Sequence, residues 1–250
     1  MVQYLKRNDK PDLAYIYSEG ENTALPIVIF CGGYASDMQG TKAVYFENAC
    51  KARGQSYLRF DYSGHGQSGG AFADGTIGTW AADALAIFDH IVKDHWCVIV
   101  GSSMGGWIGL LLANKREEQL AGYIGIAAAP DFTEELFHER LNNEQRETVM
   151  QDGRVLIPND YSDDPYVFTR ELFEDGKENC LLRDKHVPSY PMHLFQGMED
   201  NDVHPDTANA IQKAYGGGVE ITFIKDGDHR LSRPQDLEAI ERVIEYFSVV

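Results

Sequence analysis

The chain has 250 residues and a formal net charge of −17. That charge argues against nucleic acid or an anionic membrane surface as a partner. The length suits one large α/β domain or two small ones, and no apolar run approaches the ~18 residues of a membrane-spanning helix.

In chain order, residues 3–18 read as a β-hairpin: Gln3–Lys6 and Leu13–Ser18 are strand-like, and Asn8-Asp9-Lys10-Pro11 is turn chemistry. The N-terminal MVQYLKRNDK lacks the apolar stretch of a signal peptide. Cys31, Cys50, Cys97 and Cys180 show no metal-ligand spacing. Together these features predict a reducing, cytoplasmic setting without a structural disulfide. Pro26–Cys31, PIVIFC, is a continuous apolar run, as in a strand buried on both faces. Gly32-Gly33-Tyr34 ends it. A helix is expected over Thr41–Arg53, with Ala43, Phe46, Ala49 and Cys50 on one stripe. Ser56–Phe60 is the next strand, followed by the loop Asp61–Ser68, in which Asp61 is expected to stabilise the turn by accepting nearby N–H groups. Thr76–Val92 reads as a long helix.

The segment CVIVGSSMGGWIGLLLA, Cys97 to Ala113, is an apolar run, a sharp turn and an apolar helix. It contains G-x-S-x-G centred on Ser103, and strand–turn–helix is the context that makes this pattern a nucleophile elbow. Small neighbours let the helix pack close to the strand while the serine faces solvent. Gly122–Ala127 is a further buried strand.

From Asp131 to Tyr190 the character changes. This segment has 15 acidic and 7 basic residues, a net of −8, and no continuous strand run. Helical pieces are expected at Glu134–Leu141, Glu144–Gln151 and Pro165–Phe173. Residues 131–190 therefore read as a lid inserted into a core made of 1–130 and 191–250, too small and polar to fold strongly alone. Its apolar side chains Phe132, Leu136, Phe137, Leu156, Ile157, Tyr161, Tyr166, Val167, Phe168 and Phe173 either line an acyl pocket or form the lid's own core. Arg154, Arg170 and Arg183 are candidates for offsetting the negative charge near an anionic substrate. Strands return at Met192–Gln196 and Val219–Ile224. Helices follow them at Pro205–Tyr215 and Pro234–Phe247, the latter with Ser232 as N-cap candidate. Alternating strands and helices predict a mostly parallel sheet covered on both faces.

A nucleophilic serine needs a base to take its proton and an acid to orient that base. After the lid, one strand ends in Gly197-Met198-Glu199-Asp200-Asn201-Asp202-Val203-His204, and the next in Asp226-Gly227-Asp228-His229. The acid is open between Glu199, Asp200 and Asp202, with Asp200 preferred. Of eight histidines, His229 is the candidate base, because it follows the last strand. His204 is expected to cap the helix after it, and His65 either lines the pocket or is structural. Two backbone N–H groups must meet the developing oxyanion: Met104 supplies one, and Tyr34, with Gly33 at the tight turn, the other. No metal or organic cofactor is expected.

The segments FCGGYASDMQGTKA, RFDYSGHGQSGG, VGSSMGGW, QGMEDNDVHP and DGDHRLSRP resemble the α/β-hydrolase superfamily. Within it the chain resembles the animal mitochondrial group of acyl-glucuronide esterases and palmitoyl-protein thioesterases. The resemblance covers Lys6 to about Ile244 and is weakest in the lid. It implies an α/β-hydrolase fold, Ser103 as nucleophile, Asp200 as acid, His229 as base, and N–H donors at Tyr34 and Met104. Cys31-Gly32 stands where relatives often carry His-Gly or a proline. The expected activity is a serine esterase or thioesterase acting on a small-molecule acyl ester. A peptidase, amidase or carbon–carbon bond hydrolase would use the same triad, and a non-catalytic binding protein would use the same fold.

Overall fold

The computed structural model describes residues 1–159 and 164–249. Its centre is an eight-stranded sheet made of β1 (Gln3–Leu5), β2 (Leu13–Ser18), β3 (Ile27–Cys31), β4 (Tyr57–Phe60), β5 (Cys97–Ser102), β6 (Leu120–Ile126), β9 (Met192–Gly197) and β10 (Val219–Ile224), ordered β1-β2-β4-β3-β5-β6-β9-β10. β1 and β2 run antiparallel and β2 meets β4 antiparallel; every other pairing is parallel. The middle strands β3 and β5 are buried along their whole length, which matches their unbroken apolar sequence.

Two apolar cores cover the two faces. On one lie α1 (Thr41–Ala52) and α8 (Pro234–Val249), whose stripes Ala43, Phe46, Cys50 and Leu237, Ile240, Ile244, Phe247 face inward. On the other lie α2 (Ile77–Ile91), α3 (Met104–Lys115) and α7 (Asp206–Tyr215). Thr76 caps α2 by accepting from Thr79 N–H. α3 is apolar nearly all round because the sheet and the segment before β9 enclose it. Asp61 accepts from the N–H groups of Met38 and Gln67, as its turn role requires.

The segment between β6 and β9 departs from expectation. It holds α4 (Phe132–Glu135), which runs on as a π-helical turn over Leu136–Arg140, and α5 (Asn143–Asp152), closed by an Asn142–Gln145 capping box. A two-stranded antiparallel hairpin then appears, β7 (Arg154–Ile157) and β8 (Tyr166–Thr169), before α6 (Arg170–Glu178). The helix expected over Pro165–Phe173 is therefore a strand followed by a helix. Tyr166-Val167-Phe168-Thr169 is aromatic and β-branched, which suits a strand, and the Thr169 hydroxyl starts α6 by accepting from Leu172 N–H. The absence of strands expected for this segment is corrected by the same hairpin. Ser232 does not cap α8: its hydroxyl donates to Arg230 O, while the Asp236 carboxylate accepts from Arg233 N–H.

Candidate active site

The carboxyl ends of β3, β5, β9 and β10 converge on one cavity of about 530 Å³. Ser103 stands between β5 and α3 with φ 56° and ψ −124°, a conformation that costs a non-glycine residue about 1–3 kcal/mol. Its backbone is pinned: its N–H donates to Ile126 O at 2.9 Å, and its carbonyl accepts from Gly106 N–H at 2.8 Å and Ala129 N–H at 3.1 Å. The turn depends on glycine. A Cβ on Gly105 would stand 2.1 Å from the Cys31 carbonyl oxygen, and one on Gly101 would stand 2.4 Å from the Gly105 carbonyl oxygen.

Ser103 Oγ lies 3.1 Å from His229 Nε2. His229 Nδ1 lies 2.9 Å and 3.1 Å from the two carboxylate oxygens of Asp200. Asp200 is buried and also accepts from the N–H groups of Asp202 and Val203 and from Gln196 Nε2. Burial opposes its ionisation, but the hydrogen bond and charge of His229 and the two N–H groups outweigh it, and the carboxyl sits below the usual value of 3.8. Of the three acids that the sequence leaves open, Asp200 meets His229, Glu199 is exposed, and Asp202 is exposed and contacts Asp200 through its N–H. Gln196, the penultimate residue of β9 and buried, carries no signal in the sequence. Its amide braces the carboxylate from the sheet side.

Tyr34 and Met104 line the same cavity as Ser103 and His229. Met104 is the first residue of α3, where an N–H has no intrahelical acceptor. The left-handed residue in the loop after β3 is Ala35, with φ 53°, and not Gly33. Gly33 instead keeps side-chain volume away from Ser103: an added Cβ would sit 3.4 Å from Ser103 Cβ. The Tyr34 ring leaves this loop and enters the segment between β6 and β9. It stacks on Phe168 at 5.0 Å and 12°, meets Phe132 and Tyr166 edge-on, and its hydroxyl donates to Val167 O.

His65 is structural. It is 3% exposed, edge-on to Phe72 and Trp80, and absent from the cavity wall. Burial pushes its pKa down. His204 Nδ1 accepts from Asp206 N–H at the start of α7, as a cap. Of the apolar candidates, Phe132, Leu136, Ile157, Tyr166 and Phe168 line the cavity. Phe137, Leu156, Val167 and Phe173 do not, and Tyr161 lies outside the described residues. The expected basic residues are elsewhere: Arg170 pairs with Glu171, Arg183 with Glu134, and Arg154 is exposed. Lys42, Arg140 and Arg230 line the cavity instead. Among the described residues, the side chains grouped closely enough to share a cation are Asp200, Asp202 and His229, which include the pair already bonded to each other.

The chain has counterparts among known proteins. A family profile described as serine aminopeptidase, S33, matches residues 23–171. The palmitoyl-protein thioesterase ABHD10, mitochondrial, of Rattus norvegicus is 35% identical over 245 residues, covering 96% of this chain and 80% of that protein. The chain belongs to the α/β-hydrolases. The solved mouse alpha/beta hydrolase domain-containing protein 10 superposes on this α/β-hydrolase with a TM-score of 0.89 at 31% identity, over 98% of this chain and 97% of that one. A crystal structure from Agrobacterium vitis S4 superposes with a TM-score of 0.93 at 37% identity, over 99% and 98%. The chain is a hydrolase enzyme with a mostly parallel sheet flanked by helices. The expectation of a cytoplasmic location is corrected: the mammalian relatives are named as mitochondrial, and the N-terminal sequence on which the expectation rested does not outweigh them. Among the described residues, no helix is long and apolar enough to cross a membrane.

Proposed function

We propose that this hydrolase cleaves carboxylic esters or thioesters through a Ser103–His229–Asp200 triad and an acyl-enzyme. The observation that carries the reading is the unbroken hydrogen-bonded line from Ser103 Oγ through the His229 ring to Asp200. His229 Nε2 takes the Ser103 proton as Oγ attacks the acyl carbon. Asp200 holds the ring in the tautomer that accepts at Nε2 and stabilises the imidazolium that forms. The tetrahedral oxyanion rests on the N–H groups of Met104 and Tyr34, with the positive end of α3 behind it. The imidazolium then protonates the departing alcohol or thiol. Water, deprotonated by His229, attacks the acyl-serine and returns the enzyme.

Residues 131–190 act in this reading as the lid, and Phe132, Leu136, Ile157 and Phe168 contact the acyl group. The palmitoyl-protein thioesterase name of the relatives supports a thioester among the substrates. The aminopeptidase description of the family profile supports amide hydrolysis as the second reading. A panel of oxygen esters, thioesters and aminoacyl amides separates the two, run with wild type and Ser103→Ala. Ester and thioester turnover is expected, falling about 10⁴-fold or more in the variant. Turnover confined to amides contradicts the ester reading. Ligand binding without turnover by the wild type makes the fold a binding scaffold.

A further inference from the structure

We propose that Lys42 is a positioning residue for His229: its ammonium group clamps the Arg230 carbonyl and so ties the histidine loop to the first turn of α1. The inference rests on the reading of His229 as the base. Lys42 is the second residue of α1, directly after the loop that carries Tyr34. Its Nζ lies 2.5 Å from Arg230 O and 3.5 Å from Ser232 Oγ. Arg230 adjoins His229 in sequence, so the clamp acts one peptide away from the imidazole. The same side chain thereby joins the helix that follows the loop proposed to hold the oxyanion to the loop proposed to hold the base.

The histidine loop needs such a tether. The β9–β10 ladder ends at Ile224, and α8 begins at Pro234. Between them the chain passes through Leu231 at φ 42°, a left-handed conformation that a leucine does not favour. The far end is fixed by Arg233 on Asp226 and Asp236, and Leu231 N–H donates to Asp228 Oδ1. The Arg230 carbonyl, in the middle, is taken by Lys42 and by the Ser232 hydroxyl. A charged donor makes a hydrogen bond about twice as strong as a neutral one. A ~1 Å misplacement of a catalytic group costs about 100-fold in rate.

The half-buried ammonium also makes the clamp pH-sensitive. Burial is the main cause that lowers the Lys42 pKa, to about 8; the nearby Arg230 charge acts in the same direction, and Asp228 acts against both. Asp37 and His229 share the cavity wall with it. As pH rises through about 8, the clamp loses its charge and one donor.

The test is kcat and KM for a p-nitrophenyl ester from pH 6 to 10, measured for wild type, Lys42→Met, Lys42→Arg and Ser103→Ala. Lys42→Met is expected to lower kcat about 10- to 100-fold, with KM within about threefold. Wild-type kcat is expected to fall above pH about 8, and Lys42→Arg to retain activity without that alkaline fall, because the guanidinium keeps its charge. A raised KM with unchanged kcat in Lys42→Met overturns the proposal, because it would make Lys42 a substrate contact. An alkaline fall that persists in Lys42→Arg overturns it as well, and that comparison remains decisive if Lys42→Met fails to fold. Full activity of Ser103→Ala removes the triad reading itself. Wild-type kcat in Lys42→Met beside an inactive Ser103→Ala removes the Lys42 assignment alone.

Discussion

The two walls of the cavity are built by opposite means. On the sheet side, Ser103, Asp200 and His229 stand on connections at strand ends, and hydrogen bonds hold them. Ser103 uses both its N–H and its carbonyl, and Asp200 accepts two N–H groups and the Gln196 amide. On the opposite side, residues between β6 and β9 present aromatic rings packed around Tyr34. Preorganised polar groups suit charge development in a transition state. Apolar rings measure size and shape, and discriminate one methylene by only about 1–3 kcal/mol. In the proposed reading the difference separates rate from choice: damage to the first wall is expected to slow every substrate, and damage to the second to change which substrate is preferred.

The largest expected effect lies on the first wall. Asp200→Asn should lower kcat about 10⁴-fold for every acyl length while the fold persists. The same variant alters acid stability. Because the folded carboxyl sits below its ordinary value, its stabilising contribution is complete above the unfolded value of about 4 and is lost as pH falls through the lowered one. Urea unfolding between pH 2 and 6 should therefore be flatter for Asp200→Asn than for wild type. Next comes Gly105→Ala, whose added methyl meets the carbonyl oxygens of Cys31 and Gly32 at 2.1 Å and 2.4 Å. It should cost about 3 kcal/mol in urea unfolding and reduce kcat uniformly, by displacing the loop that carries Tyr34. Phe132→Ala, on the second wall, should leave short-chain ester turnover nearly intact and lower kcat/KM for long chains about tenfold. A uniform loss across chain lengths would collapse the distinction between the walls. The smallest effect belongs to His65, which touches neither wall. Burial holds its pKa down, so the unfolded chain binds more protons below about pH 6.5 and stability falls as pH drops through that region. His65→Gln should flatten that slope.

The same division governs what could be read from the sequence. Ser103 stood out because the elbow needs glycines at fixed spacing beside a strand and a helix, and local sterics leave a local signature. Asp200 and His229 followed from chain order, since strand ends in a parallel sheet gather at one edge. Gln196 was hidden, because a polar residue inside a buried strand carries no mark of what it braces. Of the β7–β8 hairpin, β8 falls inside the helix expected over Pro165–Phe173 and β7 falls in no expected element: strands of four residues in a polar segment give too short an alternation to stand out beside the periodicity of α6. Lys42, Arg140 and Arg230 were missed in favour of Arg154, Arg170 and Arg183. Sequence position does not say which charged side chain the fold turns toward a cavity, and the pairing of α1 with the histidine loop spans the whole chain. The location was misjudged for a different reason, since an address is read by a receptor and leaves no trace in packing.

Every step proposed for this hydrolase passes through Ser103 as the nucleophile. The most direct measurement is peptide-mapped mass spectrometry after reaction with a fluorophosphonate ester. A single phosphonyl adduct on Ser103, absent in Ser103→Ala together with ester and thioester turnover, is the predicted result. An adduct on another residue, or turnover that survives in Ser103→Ala, would contradict it.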